Sequence, residues 1–271
     1  MEHPDLALAA PTRPARGPWF TRDVLGQPVL LKRLIMTSVN LAFYPIFRWR
    51  HPLTLHGAEH LKSLPPRGVL FVSNHQTYFT DAIAMHQAFS AALSGRAEVN
   101  GPPGYTLRPH TGMFYVAARE TMASGWIPRL LASGGAICVD RSWKEGETVV
   151  QREVDLTGFS DIGRALSQGW VINFPQGTTR PFAPGRLGVA HIIRAFRPVV
   201  VPVVVEGFRE AFGKTGLEMW RRGRPVSLRF KPPLELPHDA PPAELLSAVM
   251  EAIEQSEAYR PTPSGDDHND R

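Results

Sequence analysis

Residues Pro198–Val205 read Pro-Val-Val-Val-Pro-Val-Val-Val, a run without one polar side chain. Successive strand residues point to opposite faces, so a run with no alternation has no face to offer to water. It has to lie inside a sheet that is covered on both sides. Gly68-Val-Leu-Phe-Val72 and Trp170-Val-Ile-Asn-Phe174 are further apolar runs of strand length, and Leu53–His56, Phe114–Ala118, Ala136–Asp140 and Val226–Lys231 also read as strands, the last closing the sheet. Helical patterns stand between them. Asp81–Leu93 carries Ala, Ile, Met and Leu at helical spacings behind Thr80, an expected N-cap. Met122–Ala132, Glu147–Leu156, Phe159–Ser167, Leu187–Phe196 and Pro241–Ala258 read as helices, with Thr157-Gly158 parting the second from the third. Residues 94–113 are rich in Gly and Pro and read as a loop. Strands alternating with helices imply an α/β fold, a single domain whose mixed, largely parallel sheet is covered by helices. A chain of 271 residues accommodates one such domain over residues 51–258.

The flanks differ. Residues 1–18 are rich in Pro, Ala and Arg and are expected to be a disordered arm, and 259–271 a polar, flexible tail. Within 19–50, Val29–Phe47 is strongly apolar, with Arg33, Thr37 and Asn40 forming a narrow polar stripe. Pro45 is expected to end or kink that helix. Lys32 and Arg33 at one end and Arg48, Trp49 and Arg50 at the other supply cationic and aromatic anchors. Such a segment either lies in a bilayer interface or covers the core of the domain; the apolar stretch is expected to be too short for a transmembrane span. The net charge of +5 is concentrated here, seven Lys and Arg against three Asp and Glu in residues 1–50. Beside an apolar helix, that excess points to an anionic membrane surface and not to nucleic acid. Cys138 is the only cysteine, so no disulfide forms within the chain; it is expected as a small buried hydrophobe in a reducing compartment.

Chemistry gathers behind two of the strands. Ser73-Asn-His-Gln-Thr-Tyr-Phe-Thr-Asp81 follows the first, offering a histidine with a carboxylate nearby. Imidazole is suited to take a proton near neutral pH, and a carboxylate on its other ring nitrogen fixes the tautomer. On one continuous helix His75 and Asp81, six residues apart, would differ by about 240°. Their pairing therefore requires a loop running into a helix, with Gln76–Phe79 absorbing the extra residue. Failing that, Asp81 is only a helix-start residue suited to the macrodipole. Asn173-Phe-Pro-Gln-Gly-Thr-Thr-Arg180 follows the second strand, a turn that offers backbone N–H groups and an arginine. Arg141 and Arg180 each follow an apolar strand. Either can bind phosphate oxygens in a cleft at the sheet edge or form a surface salt bridge.

These phrases resemble the glycerophospholipid acyltransferase family, which includes the lysophosphatidate acyltransferases. That family carries Asn-His-x4-Asp and Phe-Pro-Glu-Gly-Thr-Arg in the same order and at similar separation. Gly135-Ala-Ile-Cys-Val-Asp-Arg141 resembles its Gly-x-x-Phe-Ile-x-Arg block, and Arg197–Val205 its later apolar strand with a central proline. The four blocks span residues 70–207. Three departures mark a divergent branch: five residues separate His75 from Asp81, Gln176 stands in place of Glu, and Thr179 takes the arginine position with Arg180 one place later.

The resemblance implies direct transfer of a fatty acyl chain from a thioester, acyl-CoA or acyl carrier protein, to a lysophospholipid hydroxyl, with lysophosphatidate the first expectation. No cofactor beyond that thioester and no metal is implied. His75 is then the base and Asp81 its orienter. Arg141 and Arg180 hold phosphate, while Asn74, Gln176, Gly177 and Thr178 shape the substrate site. Gln176 can bind but cannot serve as a charged base. The expected location is the cytoplasmic face of a membrane. Another lipid acceptor, or a catalytically silent lipid-binding protein of the same fold, remains an alternative.

Overall fold

The computed structural model describes residues 21–140, 144–145, 148–149, 156–214, 216 and 223–261. The arm expected over 1–18, Arg141 and the tail from residue 262 onward lie outside these. In chain order the helix α1 (Val29–Pro45) leads through a π-helical turn (Ile46–Arg50) to β1 (Leu53–His56), β2 (Val69–Ser73) and α2 (Thr80–Leu93). Then come β3 (Met113–Ala118), α3 (Arg119–Ala123), α4 (Trp126–Ala132), β4 (Ala136–Val139) and the short strands β5 (Lys144–Glu145) and β6 (Thr148–Val149). The chain continues with α5 (Leu156–Gln168), β7 (Trp170–Asn173), α6 (Gly188–Phe196), β8 (Val199–Glu206), α7 (Phe208–Phe212), β9 (Val226–Phe230) and α8 (Pro242–Ala252).

The seven-stranded sheet has the order β1-β9-β8-β2-β7-β3-β4. All neighbouring pairs are parallel except β8 with β9. The strands predicted to be two-faced are central. Val69 and Phe71 of β2, Trp170 and Ile172 of β7, and Val201, Val203 and Val205 of β8 pack into one core with α2, α7 and Phe47. Leu70, Val72, Val171 and Val200 point the other way, into a second core with α5, α6 and α8. Pro202 lacks an N–H, and the antiparallel ladder from β9 begins only at Val203, beyond it.

Several expectations need correction. β9 lies between β1 and β8, so β1 and not Val226–Phe230 closes that edge. Thr80 is the first helical residue of α2 and not its cap; its hydroxyl donates to the Gly216 carbonyl. Met122–Ala132 breaks at Ser124-Gly125 into α3 and α4. Thr148–Val149 pairs with Lys144–Glu145 as a ladder where a helix was expected, and α5 runs through Thr157-Gly158 without a break. The C-terminal helix stops at Ala252, with Glu254 at φ +60° turning the chain. Cys138 is half-buried, because β4 is an edge strand.

The N-terminal helix departs most. The α-helix proper ends at Pro45, as expected, but a π-helical turn continues the coil to Arg50, closed by His51 N–H on the Ile46 carbonyl. The 22 residues Val29–Arg50 are by length and composition enough to cross a bilayer, so length alone does not exclude the span that was expected to be out of reach. Nor is the polar stripe continuous. Arg33 is exposed, but Asn40 is buried, bonded to His86 and Gln87 of α2. Lys32 is not an anchor in water. It is fully buried, 3.3 Å from Asp23 and over the ring of Phe114. Burial pulls its pKa down to about 8, with Asp23 opposing the shift. The other side of the helix exposes Leu31, Leu34, Leu41 and Trp49.

Candidate active site

Parallel pairing of β2 with β7, Val72 opposite Asn173, brings the ends of both strands to one edge of the sheet. From β2 the chain leaves through α2 on one face; from β7 it leaves through α6 on the other. Loops that part company at adjacent carboxyl ends open a crevice between them. The two motifs separated by a hundred residues of sequence meet there, and the ring of Phe174 stacks on that of His75.

Asp81 reaches His75 as the loop-into-helix argument required. His75 Nδ1 lies 3.0 Å from Asp81 Oδ2. That oxygen also accepts the backbone N–H groups of Gln76 at 2.6 Å and Thr77 at 3.1 Å, and Oδ1 accepts the Thr77 hydroxyl at 2.6 Å. The Thr77 oxygen in turn receives the Asp81 N–H at 3.3 Å, so Thr77 takes over the capping expected of Thr80. Asp81 is fully buried. The backbone donors fix it as an acceptor, so His75 Nδ1 carries the proton toward it and Nε2 is left basic for a reactant.

The second loop is tight. Gly177 sits at φ +61°, its N–H bonded to the Phe174 carbonyl, and a Cβ there would lie 3.1 Å from Arg186 Nε. Glycine adopts that φ without strain and leaves room for the Arg186 side chain. The Arg186 N–H donates to the Pro175 carbonyl, which pins the returning strand of the loop under the turn.

Beneath His75 lies a cavity of about 660 Å³. Tyr78, Gly177, Thr178, Thr179, Arg186 and Lys214 form a polar part of its wall, and the remainder is mostly apolar, drawn from α1, α2, β3, α5 and α6. Arg186 and Lys214 take part in no ion pair among the described residues. No three His, Cys, Asp or Glu side chains among the described residues gather as metal ligands.

Of the residues expected at the site, His75, Gly177 and Thr178 line the cavity, with Asp81 behind His75. Asn74 and Gln176 do other work. The Asn74 amide exchanges two hydrogen bonds with the Val205 backbone, joining the β2 loop to β8. Gln176 is buried, its Nε2 bonded to the Ala183 carbonyl and to Gln255 Oε1, so it braces the loop from behind. Arg180 is exposed and does not line the cavity. Arg141 lies outside the described residues. Sequence reasoning passed over Arg186, Lys214, Thr77 and Phe174. Thr77 matches no local signal, since it lies four residues before Asp81 and not at the three-residue spacing of a capping box. Nothing local marks Lys214, which arrives from the far side of α7.

The family model described as Acyltransferase matches residues 52–206. The crystal structure of the 1-acyl-sn-glycerophosphate (LPA) acyltransferase PlsC from Thermotoga maritima is similar at 17% sequence identity, over 83% of this chain and 77% of that one, with a TM-score of 0.48. No curated protein sequence matches the chain.

Proposed function

The chain belongs to the acyltransferase family, and from that premise we propose that it moves a fatty acyl group from a thioester, acyl-CoA or acyl carrier protein, to the hydroxyl of a lysophospholipid, lysophosphatidate first. The observation that carries this reading is the His75–Asp81 pair at the wall of a largely apolar cavity whose polar side bears two cations. His75 Nε2 takes the acceptor hydroxyl proton as its oxygen bonds to the thioester carbonyl carbon. The tetrahedral intermediate then breaks its C–S bond, and the imidazolium returns the proton to the leaving thiolate. Asp81 holds the ring in place and stabilises the charge that forms on it. No covalent acyl-enzyme is needed.

Arg186 and Lys214 supply the charge for an acceptor phosphate in this reading, and the resemblance adds Arg141. Apolar walls from Ile35, Met36, Val39 and Ile192 suit an acyl chain, and the volume is that of a ligand pocket, about 300–1,000 Å³. The same α1 that lines the cavity exposes Leu31, Leu34, Leu41 and Trp49 on its other side, which supports membrane association where lipid substrates reside. Its length is compatible with lying in the interface or spanning the bilayer.

Thiol release from acyl-CoA or acyl carrier protein by the purified protein tests the proposal, with and without lysophosphatidate, for wild type and His75→Ala. Release that needs the acceptor and disappears in the variant is the expected result. Release without acceptor means hydrolysis, and no release with any lysolipid leaves a binding protein.

A further inference from the structure

The cavity reaches both faces of the sheet. Tyr115 and Val116 are consecutive residues of β3, so their side chains point to opposite faces, yet both are half-buried and both line the cavity. Tyr115 packs against the core that contains α2, and Val116 against the core that contains α5 and α6. The rest of the apolar wall divides the same way. With Tyr115 go Met113 of β3 and Met36 and Val39 of α1. With Val116 go Phe159 and Ile162 of α5 and Val189 and Ile192 of α6. The cavity is therefore two apolar arms, one on each face of β3. They meet at the carboxyl ends of β2 and β7, where His75 and Phe174 line the same space. The arm under α1 follows β3 from Ala117 back to Met113, four residues or ~13 Å.

We propose that the two arms hold two different chains. The arm under α1 takes the acyl chain of the lysophospholipid acceptor, and the arm between β3, α5 and α6 takes the fatty acyl chain of the thioester. The inference rests on the lipid acyltransferase reading and adds where each tail lies. Both substrates carry an apolar tail, and both reacting ends have to meet at His75 Nε2. In one shared arm the tails would compete for the same wall, whereas opposite faces of a strand keep them apart. The assignment follows from α1 and Lys214. α1 walls the first arm with Met36 and Val39 and exposes Leu31, Leu34 and Leu41 outward, so a lipid leaving a bilayer has one helix to pass. On that face Tyr78 leads into α2 and Lys214 follows α7. The Tyr78 N–H donates to the Lys214 carbonyl, and Lys214 Nζ stands 5.9 Å from the centre of the Tyr78 ring, a cation at the reacting end of that arm for the acceptor phosphate. The second arm lies on the face opposite Met36 and Val39, open to a thioester that arrives from water.

Binding and transfer on the full chain, with one tail varied at a time, test this. Affinities are measured for lysophosphatidates and for non-hydrolysable acyl-CoA thioethers, each from decanoyl to octadecanoyl, with wild type, Val39→Phe and Val116→Phe. Values of kcat/KM for transfer are read across the same tails. Phe at either position takes the room of about two methylenes, each worth roughly fourfold in affinity. Val39→Phe should weaken long-tailed lysophosphatidates about tenfold against short-tailed ones, with the thioether profile as in wild type. Val116→Phe should do the reverse, and Phe159→Ala, which widens the second arm, should move the thioether preference to longer tails. A shift of the same substrate by both Phe variants overturns the proposal, and so does the swapped pattern. Should the Phe variants fail to fold, wild type decides: separate arms admit both long-tailed ligands at once, and mutual displacement overturns the proposal. Tail effects divided between the arms without any acyl transfer would sink the enzymatic reading and leave this inference standing. Transfer whose tail profiles no variant alters would do the opposite.

Discussion

The imidazole of His75 lies nearly parallel to the phenyl ring of Phe174, with centroids 3.9 Å apart and planes at 23°. His75 comes from the loop after β2 and Phe174 from the loop after β7, so this stack is where the two halves of the site touch. It blocks one face of the imidazole, while Asp81 fixes its edge. Ring orientation is thus set in two directions, which matters because a general base has to meet its proton within hydrogen-bond reach. Phe174→Leu removes the face contact and leaves the Asp81 bond in place. It should lower kcat roughly tenfold with KM within about twofold. Steady-state kinetics on the lysolipid acceptor check this; an unchanged kcat would show that Asp81 alone positions the ring.

Asp81 accepts from His75, Gln76, Thr77 N–H and the Thr77 hydroxyl at once. Asp81→Asn would turn an N–H₂ toward at least one of these donors and cannot balance a forming imidazolium. The expected fall in kcat is about 10²–10⁴-fold. Thr77→Val tests the support separately. It keeps the carboxylate but loses one bond to it and the cap on the Asp81 N–H, which should lower stability by about 1 kcal/mol with a smaller loss of rate. Urea denaturation paired with kinetics separates the two effects.

What could be read from the residues divides along physical lines. The central strands were legible because Val199–Val205 and its neighbours are apolar on both faces, and only the middle of a covered sheet accepts that. His75 and Asp81 were legible as candidates whose pairing needs a loop running into a helix, but their spacing alone also allowed Asp81 to be only a helix-start residue; the 3.0 Å contact decides it. By contrast, Asn74 and Gln176 carry side chains that suit a ligand and a backbone equally well, and only the fold shows Val205 and Ala183 as their partners. Lys32 misled for a related reason: periodicity cannot say which side of a nearly all-apolar helix meets the domain. The π-helical continuation beyond Pro45 was hidden too, because no residue pattern marks a wider turn.

Arg180 and Arg186 are six residues apart on one loop, and only Arg186 lines the cavity. If an acceptor phosphate is held there, Arg186→Ala and Lys214→Ala should each raise KM for lysophosphatidate about tenfold with little change in kcat, and the loss should shrink as salt screens the wild-type interaction. Arg180→Ala should stay within about twofold of wild type. Kinetics at low and high ionic strength test all three, and a larger effect at Arg180 than at Arg186 would reverse the assignment.

Acid sensitivity follows from the buried histidines behind the cavity. Burial, the main cause, pushes the pKa of His86 down to about 3 and that of His110 down to about 4, and Lys32 adds to both shifts. Asp23 faces Lys32, and Asn40 faces His86. In the unfolded chain each histidine takes up its proton near pH 6.5, whereas in the fold each stays neutral well below that. As pH falls through 6.5 the unfolded state therefore binds more protons, and stability is lost; the linkage runs toward weaker folding in acid. At about pH 5 the loss approaches ~2 kcal/mol per histidine. Lys32 adds nothing in this range, since it is charged both folded and unfolded below its pKa of about 8. Urea midpoints measured between about pH 7 and pH 5 should fall steeply for wild type and less steeply for His86→Leu. Equal slopes would mean that His86 takes up a proton in the folded chain and that the polar chamber under α1 is open to water.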